Sequence, residues 1–349
     1  MRKIKKAFLL LLTLLLAAMS LFACGKDEPD VSEGDEPKEK KLTIGMSFDS
    51  FVIERWQRDR DIFVQAAKEM GAEVNVQNAN GDVEEQWKQI EYFVEKKVDV
   101  IVIVCIDSDS LSEPIKKAKE AGIRVIAYDR LINNADIDLY ISFDNEMVGT
   151  LMAQSLVDNG IRGGKVIMLG GSPSDNNVSL VENAFEEVMR KNNVTIIDRM
   201  HCDGWRAELA ADYIYSHREQ VTECDAIMCG NDNLASQVVT ALAVQRLAGK
   251  IPVTGQDADL EACQRIVEGT QIMTVYKPVE KLARRAAECA VALAEGRKVQ
   301  DSDTGSIHNG MKEVPYVRLE PVRVDRDNLD EIIIDSGFHS REEVYLNIK

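Results

Sequence analysis

Short runs of polar and charged residues follow apolar segments at several points in this 349-residue sequence. Asp129 and Arg130 come directly after IRVIAY, and Lys277 comes directly after QIMTVY. Asn231 and Asp232 follow CDAIMCG. Carboxylate, amide, guanidinium and ammonium groups together supply both donors and acceptors of hydrogen bonds, many of them charge-assisted. If these side chains converge, they suit a neutral ligand with many hydroxyl groups better than an anion.

Four further residues are candidates for the same ligand. Asp257 comes directly after IPVTGQ, and Arg55 and Trp56 lie a few residues beyond LTIGMSF. Trp205 lies in the polar loop DGW. An indole ring packs well on the apolar C–H face of a polyhydroxylated ring, so Trp56 and Trp205 are candidates for that contact. A phosphate would instead require a longer glycine-rich loop than the GGS at residues 170–172, which also lacks a P-loop lysine.

The segments that position these residues alternate between strand and helix patterns. Predicted strands include LTIGMSF, the near-continuous apolar run VDVIVIVCI, and the later segments KVIMLGG and IPVTGQD. Between them lie helical patterns such as VEEQWKQIEYFVEKK, whose apolar residues recur every three or four positions. Alternation of this kind predicts parallel sheets covered by helices. In such sheets ligands bind at the carboxyl ends of the strands, which is where most of the candidate residues lie.

Each candidate also has a purely structural interpretation. Asp232 can cap the helix that follows it, and Asp129 and Arg130 can form a local ion pair. Lys277 can be a surface lysine before Pro278. The joint occurrence of these residues at successive strand ends favours a common binding site over these separate interpretations.

The N-terminal residues have the pattern of an export signal followed by a tether. A basic start precedes an apolar stretch over 7–22 that is shorter than a typical membrane span, so residues 1–23 are predicted to be a signal peptide. The segment LFAC at positions 21–24 is a bacterial lipobox, which predicts cleavage before Cys24 and acylation of its thiol; an uncleaved membrane anchor is the alternative. Residues 24–41 then form a lipidated, flexible tether with few apolar side chains. The predicted location is the extracytoplasmic face of the cell membrane.

The remaining composition limits the possible classes of protein. The segment 42–349 is longer than a typical single domain with one hydrophobic core, which suggests two domains. A formal charge of −17 disfavours binding to nucleic acids. Most cysteines after Cys24 lie within apolar segments and are predicted to be core residues, not disulfides or metal ligands. No metal and no cofactor is predicted.

Longer motifs resemble the periplasmic sugar-binding proteins of type I, and within them the D-xylose-binding group. These motifs are ERWQRDRDIF, NANGDVEEQ, AYDRLINNADIDLYISFDNEMVG, GGSPSDNN, DGW, GQDAD and GTQIMTVYKP. They extend over residues 43–338, nearly the whole predicted mature chain. YDRLINNADIDLYISFDN and GQDAD with TVYKP are typical of this subgroup and not of the fold in general.

The resemblance implies an α/β fold of two similar Rossmann-like lobes. Each lobe has a parallel sheet flanked by helices, a three-strand hinge joins the lobes, and one sugar binds between them. The motifs assign residues 42–144 and 278–316 to an N-terminal lobe. They assign residues 145–277 and 317–349 to a C-terminal lobe. The chain is expected to cross between the lobes near residues 144, 277 and 315–319.

The resemblance also implies which residues contact the sugar. Motif by motif, these are Arg55, Asp129, Arg130, Asn176 or Asn177, Trp205, Asn231 with Asp232, Asp257 and Lys277. The motif GGSPSDNN leaves Asn176 and Asn177 as alternatives. Phe48 and Phe51 replace residues that are more polar or aliphatic in the D-xylose-binding group, so this edge of the pocket is expected to influence which aldose fits.

The implied function is an extracytoplasmic receptor that captures D-xylose or a similar aldose and delivers it to an ABC permease with its ATPase. The alternative is a sensory partner of a membrane histidine kinase or chemoreceptor that uses the same site. An enzyme is not expected, because Arg and Lys residues near Asp129 and Asp257 would keep both carboxylates ionised and leave no general acid. A monomer is expected. The lipid anchor points to a Gram-positive cell surface, where no outer membrane confines the receptor.

Overall fold

The strands of the protein form two separate sheets in the computed structural model, which describes residues 41–299 and 304–348. The strands of the first sheet are β1 (Thr43–Phe48), β2 (Glu73–Asn78), β3 (Val100–Ile103), β4 (Arg124–Tyr128), β5 (Leu139–Phe143), β11 (Thr304–His308) and β12 (Glu313–Leu319). Their order is β11-β12-β5-β4-β3-β1-β2. All neighbours are parallel except β11 and β12. We call the lobe around this sheet the N-terminal lobe.

The second sheet belongs to the C-terminal lobe. Its strands are β6 (Lys165–Gly170), β7 (Thr195–His201), β8 (Ala226–Cys229), β9 (Val253–Gln256), β10 (Met273–Tyr276) and β13 (Val322–Asp325). Their order is β13-β10-β9-β8-β6-β7, and only β13 runs antiparallel to its neighbour. The predicted α/β class with two mostly parallel sheets is therefore confirmed.

Helices connect the parallel strands. They are α1 (Arg55–Glu69), α2 (Val83–Glu95), α3 (Ser112–Glu120), α4 (Asn145–Asp158), α5 (Asn176–Lys191), α6 (Glu208–Ser216), α7 (Arg218–Glu223), α8 (Asp232–Val244), α9 (Leu260–Glu268), α10 (Val279–Ala294) and α11 (Arg341–Val344). A 3-10 turn covers Asp203–Trp205 and a π-helical turn covers Asp330–Ile334.

Strand β3 explains why the N-terminal lobe needs helices on both faces of its sheet. All four of its residues are buried. Val100 and Val102 pack in one apolar cluster with residues of α1 and α10, whereas Ile101 and Ile103 pack in another with residues of α2 and α3. Because successive side chains of a strand point to opposite faces, a run of four apolar residues must be covered from both sides.

The chain passes between the two sheets three times. It leaves the first sheet after β5, returns after β10 when α10 packs against α1, and leaves again between β12 and β13. The predicted boundary between residues 316 and 317 is too early, because Arg318 and Leu319 still pair with Ser142 and Phe143 of β5. The third crossing therefore follows Leu319.

Several predictions concern features away from the site. In the part of the chain that the structure describes, no helix has the length and apolar character needed to cross a membrane, and no group of His, Cys, Asp and Glu side chains is arranged for a metal ion. The six cysteines in that part are buried and free, and burial raises the pKa of the Cys105 thiol to about 12. The predicted signal peptide, Cys24 and the tether up to residue 40 lie outside the described residues.

Candidate functional site between the two lobes

A cavity lies at the carboxyl ends of the strands, between the two lobes. Nine of the predicted ligand residues line the cavity, namely Arg55, Trp56, Asp129, Arg130, Asn177, Trp205, Asn231, Asp257 and Lys277. The first four come from the N-terminal lobe and the others from the C-terminal lobe.

Arg55 is the first residue of α1 and faces two acidic strand ends. Its Nη1 lies 2.9 Å from Asp129 Oδ2 and 3.9 Å from Asp257 Oδ1. Its Nε and Nη2 donate to the two carboxylate oxygens of Asp59, at 3.2 Å and 3.0 Å. The hydroxyl of Tyr128 also donates to Asp59. The bidentate pair with Asp59 fixes the guanidinium plane, so that Nη1 is directed at the cavity wall.

Arg130 connects the lobes from the end of β4. Its Nη1 donates to Asp49 Oδ2 at 2.8 Å and to the carbonyl of Cys105 at 2.9 Å. Its Nε lies 2.8 Å from Oδ2 of Asp175, which belongs to the C-terminal lobe. Burial disfavours the charged guanidinium, but Asp49 and Asp175 outweigh burial and keep the pKa of Arg130 above its usual value. Arg130 is therefore a permanent cation in the cavity.

The carboxylates of the cavity face cations. Asp257 Oδ1 lies 3.4 Å from the ammonium of Lys277, in addition to its approach to Arg55. Burial alone would raise the pKa of Asp129, but Arg55, Lys277 and Arg130 outweigh burial, and the pKa of Asp129 lies below its usual value. Asp129 is therefore an ionised acceptor. Because opposite charges are paired around the cavity, its wall suits a neutral ligand better than a charged one.

The backbone is left-handed at three of these residues. The φ angles are 64° at Asp129, 58° at Trp205 and 100° at Asp257. Non-glycine residues adopt such angles at a cost, which is commonly found at functional sites. The amides of Asp129 and Asp257 still donate to the carbonyls of Ile141 and Val275 on adjacent strands, both at 2.8 Å. The chain thus turns immediately after the last sheet hydrogen bond, and the turn directs each carboxylate into the cavity.

Two indole rings form apolar parts of the wall. Trp205 is 8% exposed and lies over Gly171, which follows β6, and Gly230, which follows β8. A Cβ atom on Gly171 would lie 2.2 Å from the Trp205 ring, and one on Gly230 would lie 3.3 Å from it. On the opposite lobe, the Arg55 guanidinium lies 4.5 Å from the centroid of the Trp56 ring. Glycine at position 171 is therefore required for the observed position of the Trp205 ring.

The structure distinguishes Asn176 from Asn177. Asn177 lines the cavity, and its Nδ2 donates to the main-chain carbonyl of Asp129 at 3.0 Å. Its Oδ1 accepts from Nδ2 of Asn145 at 2.9 Å. Asn176 does not line the cavity, and its backbone N–H donates to Ser108 Oγ at 3.1 Å. Asn177 is therefore the member of the pair that is positioned for a ligand.

Asn231 and Asp232 also differ. Asn231 lines the cavity while its Oδ1 caps α8 by accepting from the amide of Leu234 at 2.9 Å. Asp232 lies outside the cavity, contrary to the prediction, because its carboxylate is directed into the C-terminal lobe. There Oδ2 accepts from the Thr274 hydroxyl at 2.6 Å, and Oδ1 accepts from Gln271 Nε2 at 2.8 Å. Asp232 is a structural residue in this geometry.

The predicted influence of Phe48 and Phe51 on the pocket edge also requires correction. Neither residue lines the cavity. Phe48 is fully buried and packs 5.2 Å from Phe51 and 6.3 Å from Trp56, measured between ring centroids. Phe48 points into the core because it is the last residue of β1 and continues the buried pattern of that strand. Phe48 thus packs against Trp56, and Phe51 packs against Phe48, whereas Ile53 lines the cavity.

Three polar cavity residues were not predicted. Asp175 caps α5 and accepts from the indole Nε1 of Trp205 at 3.3 Å. It lies in the motif GGSPSDNN, directly before the two asparagines that were considered. Gln256 is the last residue of β9, directly before Asp257. Glu182 lies in the second turn of α5, where no local sequence signal distinguishes it from other buried helix residues.

Several buried polar atoms at the cavity have no hydrogen-bond partner among the described residues. They include Trp56 Nε1, Arg130 Nη2 and Gln256 Oε1. A buried group without a partner costs roughly 1–3 kcal/mol. These atoms comprise two donors and one acceptor, and a hydroxyl group can pair with either kind. The cavity therefore suits a ligand that carries several hydroxyl groups.

Comparisons with known proteins agree with this geometry. The periplasmic binding protein domain model matches residues 44–298. The chain is 44% identical over 311 residues to the D-xylose-binding periplasmic protein of Haemophilus influenzae, a match that covers 88% of this chain and 93% of that protein. It is 43% identical over 310 residues to the protein of the same name from Escherichia coli, which covers 87% and 93%.

A solved structure extends the comparison to the fold. An ABC transporter solute binding protein from Clostridium phytofermentans, with bound β-D-glucose, aligns with a TM-score of 0.78 at 30% identity. The alignment covers 86% of this chain and 99% of that one. The family consists of receptors and not of enzymes, which agrees with the expectation for this chain. Because the similarity covers both lobes and most of the length, the chain belongs to the periplasmic sugar-binding proteins of type I.

Proposed function

We propose that this protein is a receptor that captures D-xylose, or an aldose of closely similar shape, between its two lobes. The observation that carries the proposal is the set of charged groups that face one cavity from both lobes. Arg55, Asp129 and Arg130 come from one side, and Asp257 and Lys277 come from the other. A sugar in this cavity would exchange hydrogen bonds with both lobes at once.

The energies of such contacts are sufficient. A hydrogen bond to a charged group contributes roughly 1.5–3 kcal/mol. Several of these bonds, less the cost of ordering the ligand, account for micromolar binding, which corresponds to about 8 kcal/mol. Stacking of the sugar on Trp56 or Trp205 adds an apolar contribution.

The preference for D-xylose is supported by similarity. Two relatives that are 43–44% identical over most of their length are named D-xylose-binding periplasmic proteins. By contrast, the solved structure with bound β-D-glucose is 30% identical to this chain. We therefore propose a pentose as the preferred ligand, with hexoses bound more weakly.

Binding is coupled to closure of the lobes. Contacts such as Arg130 with Asp175, and Asn177 with Asp129, join the lobes directly. A ligand that contacts both lobes favours the closed arrangement in which these pairs form. We propose that the closed receptor then delivers the sugar to an ABC permease. Loss of micromolar D-xylose uptake after deletion of the gene, restored by the wild-type gene, is the expected result.

We also propose that acylation of Cys24 holds the receptor at the extracytoplasmic face of the cell membrane. The lipobox sequence supports this proposal. Incorporation of labelled palmitate into the wild-type chain, and its loss in Cys24→Ser, is the expected result. Wild-type protein that takes up no label, or that leaves the membrane fraction without detergent, would contradict the proposal.

Isothermal titration calorimetry of the full chain with D-xylose, L-arabinose, D-ribose, D-glucose and D-galactose tests the ligand assignment. D-Xylose is expected to bind most tightly, with a micromolar or lower Kd. If D-glucose binds more tightly than D-xylose, the preferred ligand is a hexose and not a pentose. The absence of binding to all five sugars would refute the receptor proposal.

A further inference from the structure

The cavity has a part that the predicted ligand residues do not form. Val178, Val181 and Glu182 of α5, Met228 of β8, and Gly170 of β6 also line it. The first four are buried within the C-terminal lobe, and three of them are apolar. Glu182 therefore places a carboxylate in an otherwise apolar part of the wall, and its side chain is only 5% exposed.

The Glu182 carboxylate is held from the side that faces solvent. Both of its oxygens lie 3.1 Å from Nε2 of His201, and Arg199 Nη1 lies 3.6 Å from Oε2. His201 and Arg199 belong to β7, the edge strand of the sheet, and their side chains are 34% and 38% exposed. A buried carboxylate requires such partners, because burial without them is costly. The pair with His201 fixes the position of the carboxylate against the cavity.

The end of β6 is shaped to accept this arrangement. A Cβ atom on Gly170 would lie 2.0 Å from Glu182 Oε1 and 2.8 Å from His201 Cδ2. A Cβ atom on the next residue, Gly171, would lie 2.2 Å from the Trp205 ring. Two consecutive glycines therefore give room to two neighbouring parts of the cavity wall, the indole ring on which a sugar would stack and the Glu182 carboxylate.

We propose that Glu182 is a specificity-determining residue whose carboxylate, held by His201, forms the floor of the cavity and limits the length of the aldose. This inference rests on the proposed function. A hexopyranose differs from D-xylopyranose by an exocyclic hydroxymethyl group, which needs additional space. One extra methylene group, which is smaller than a hydroxymethyl group, changes discrimination in an apolar pocket by about 10- to 200-fold. A side chain that reaches the cavity floor is therefore able to separate the two classes of aldose.

The test compares Kd values for D-xylose and D-glucose by calorimetry, in the wild type and in three variants of the full chain. Glu182→Ala removes the carboxylate and makes the cavity deeper. It is therefore expected to raise the affinity for D-glucose relative to D-xylose by about tenfold or more. Glu182→Gln keeps the size of the side chain, so it is expected to leave this ratio within about threefold of the wild type. Glu186→Ala is the matched control, since Glu186 pairs with the same Arg199 one turn later but does not line the cavity.

The possible outcomes distinguish a size-limiting role of Glu182 from other roles of this residue. An unchanged ratio in a Glu182→Ala protein that still binds D-xylose would overturn the inference and leave the receptor function intact. A shift in Glu182→Gln as large as in Glu182→Ala would also overturn it, because hydrogen bonding and not size would then set the preference. If Glu182→Ala does not fold, Val181→Ala enlarges the same region without a charge change and is expected to shift the ratio in the same direction. A wild type that binds neither sugar refutes the proposed function itself.

Discussion

Arg130 Nε lies 2.8 Å from Asp175 Oδ2, although the two residues belong to different lobes. The same carboxylate caps α5 and accepts a hydrogen bond from the indole of Trp205. One side chain thus joins a cation of the N-terminal lobe, the first turn of a helix and an aromatic wall of the cavity. The arrangement of the ligand-facing groups therefore depends directly on a contact between the lobes.

Asp257→Asn should weaken D-xylose binding by about 10- to 100-fold, because a hydrogen bond to a charged group is replaced by one to a neutral amide. Asparagine tolerates the left-handed backbone of this position, but the buried ammonium of Lys277 loses its paired charge, so the melting temperature without sugar should fall. Calorimetry and thermal melting provide the two measurements. Asp61→Asn is the control, because the Asp61 carboxylate is exposed and lies outside the cavity. This variant should bind D-xylose with the affinity of the wild type. Equal affinities of Asp257→Asn and the wild type would remove Asp257 from the site.

Gly171→Ala should reduce D-xylose affinity by about tenfold, the upper end of the contribution of an aromatic contact. The new methyl group would overlap the Trp205 ring, which must move away from the cavity. The matched control is Gly305→Ala, whose added Cβ meets its nearest neighbour, the carbonyl of Tyr316, only at 4.0 Å. Calorimetry, together with tryptophan fluorescence upon addition of sugar, provides the measurement. Unchanged affinity in Gly171→Ala would show that the position of the ring does not matter for binding.

Ser108→Ala should weaken binding of every aldose by the same factor, about 2- to 10-fold. Ser108 lies outside the cavity, and its Oγ accepts from the backbone amide of Asn176 across the lobes at 3.1 Å. Loss of this bond shifts the equilibrium toward the open form, and that shift lowers all apparent affinities equally. Ser179→Ala, whose hydroxyl donates to the Asn176 carbonyl within one lobe, is the control. Different factors for D-xylose and D-glucose would contradict a role in closure alone.

Asp232→Asn should change how stability depends on pH. Burial outweighs the hydrogen bonds from Thr274 and Gln271 and raises the pKa of Asp232 to about 7, from about 4 in an unfolded chain. The folded protein therefore retains a proton that the unfolded chain releases between about pH 4 and pH 7. The stability contributed by this group is fully present below about pH 4 and is lost as the pH rises through about 7.

Urea unfolding at pH 5 and pH 8 measures this effect. The free energy of unfolding of the wild type, relative to that of Asp232→Asn, should be larger at pH 5 than at pH 8. D-Xylose affinity should be retained in the variant, because Asp232 does not line the cavity. A stability difference that does not vary with pH would show that Asp232 has an ordinary pKa.

Much of the fold was predictable because its signals are local. The buried strand Val100–Ile103 reads as a continuous apolar run, and polar motifs follow strands at their carboxyl ends. Parallel sheets then require the alternation of strands and helices, and the shared strand ends bring the motifs together. These features depend on residues that are close in the chain, so the sequence alone determined the α/β class, the two sheets and most of the candidate residues at the cavity.

Only the tertiary structure decided which side chain of each motif faces the cavity. Asn177 faces it and Asn176 does not, and Asn231 faces it while Asp232 is bonded to Thr274. Adjacent residues point in different directions, and that direction depends on the turn after the strand and on distant partners. Glu182 is the extreme case, because its position depends on His201 of a neighbouring strand and on the missing side chain of Gly170. Contacts between segments far apart in the chain have no local signature, so only the tertiary structure of the C-terminal lobe reveals that Glu182 lines the cavity.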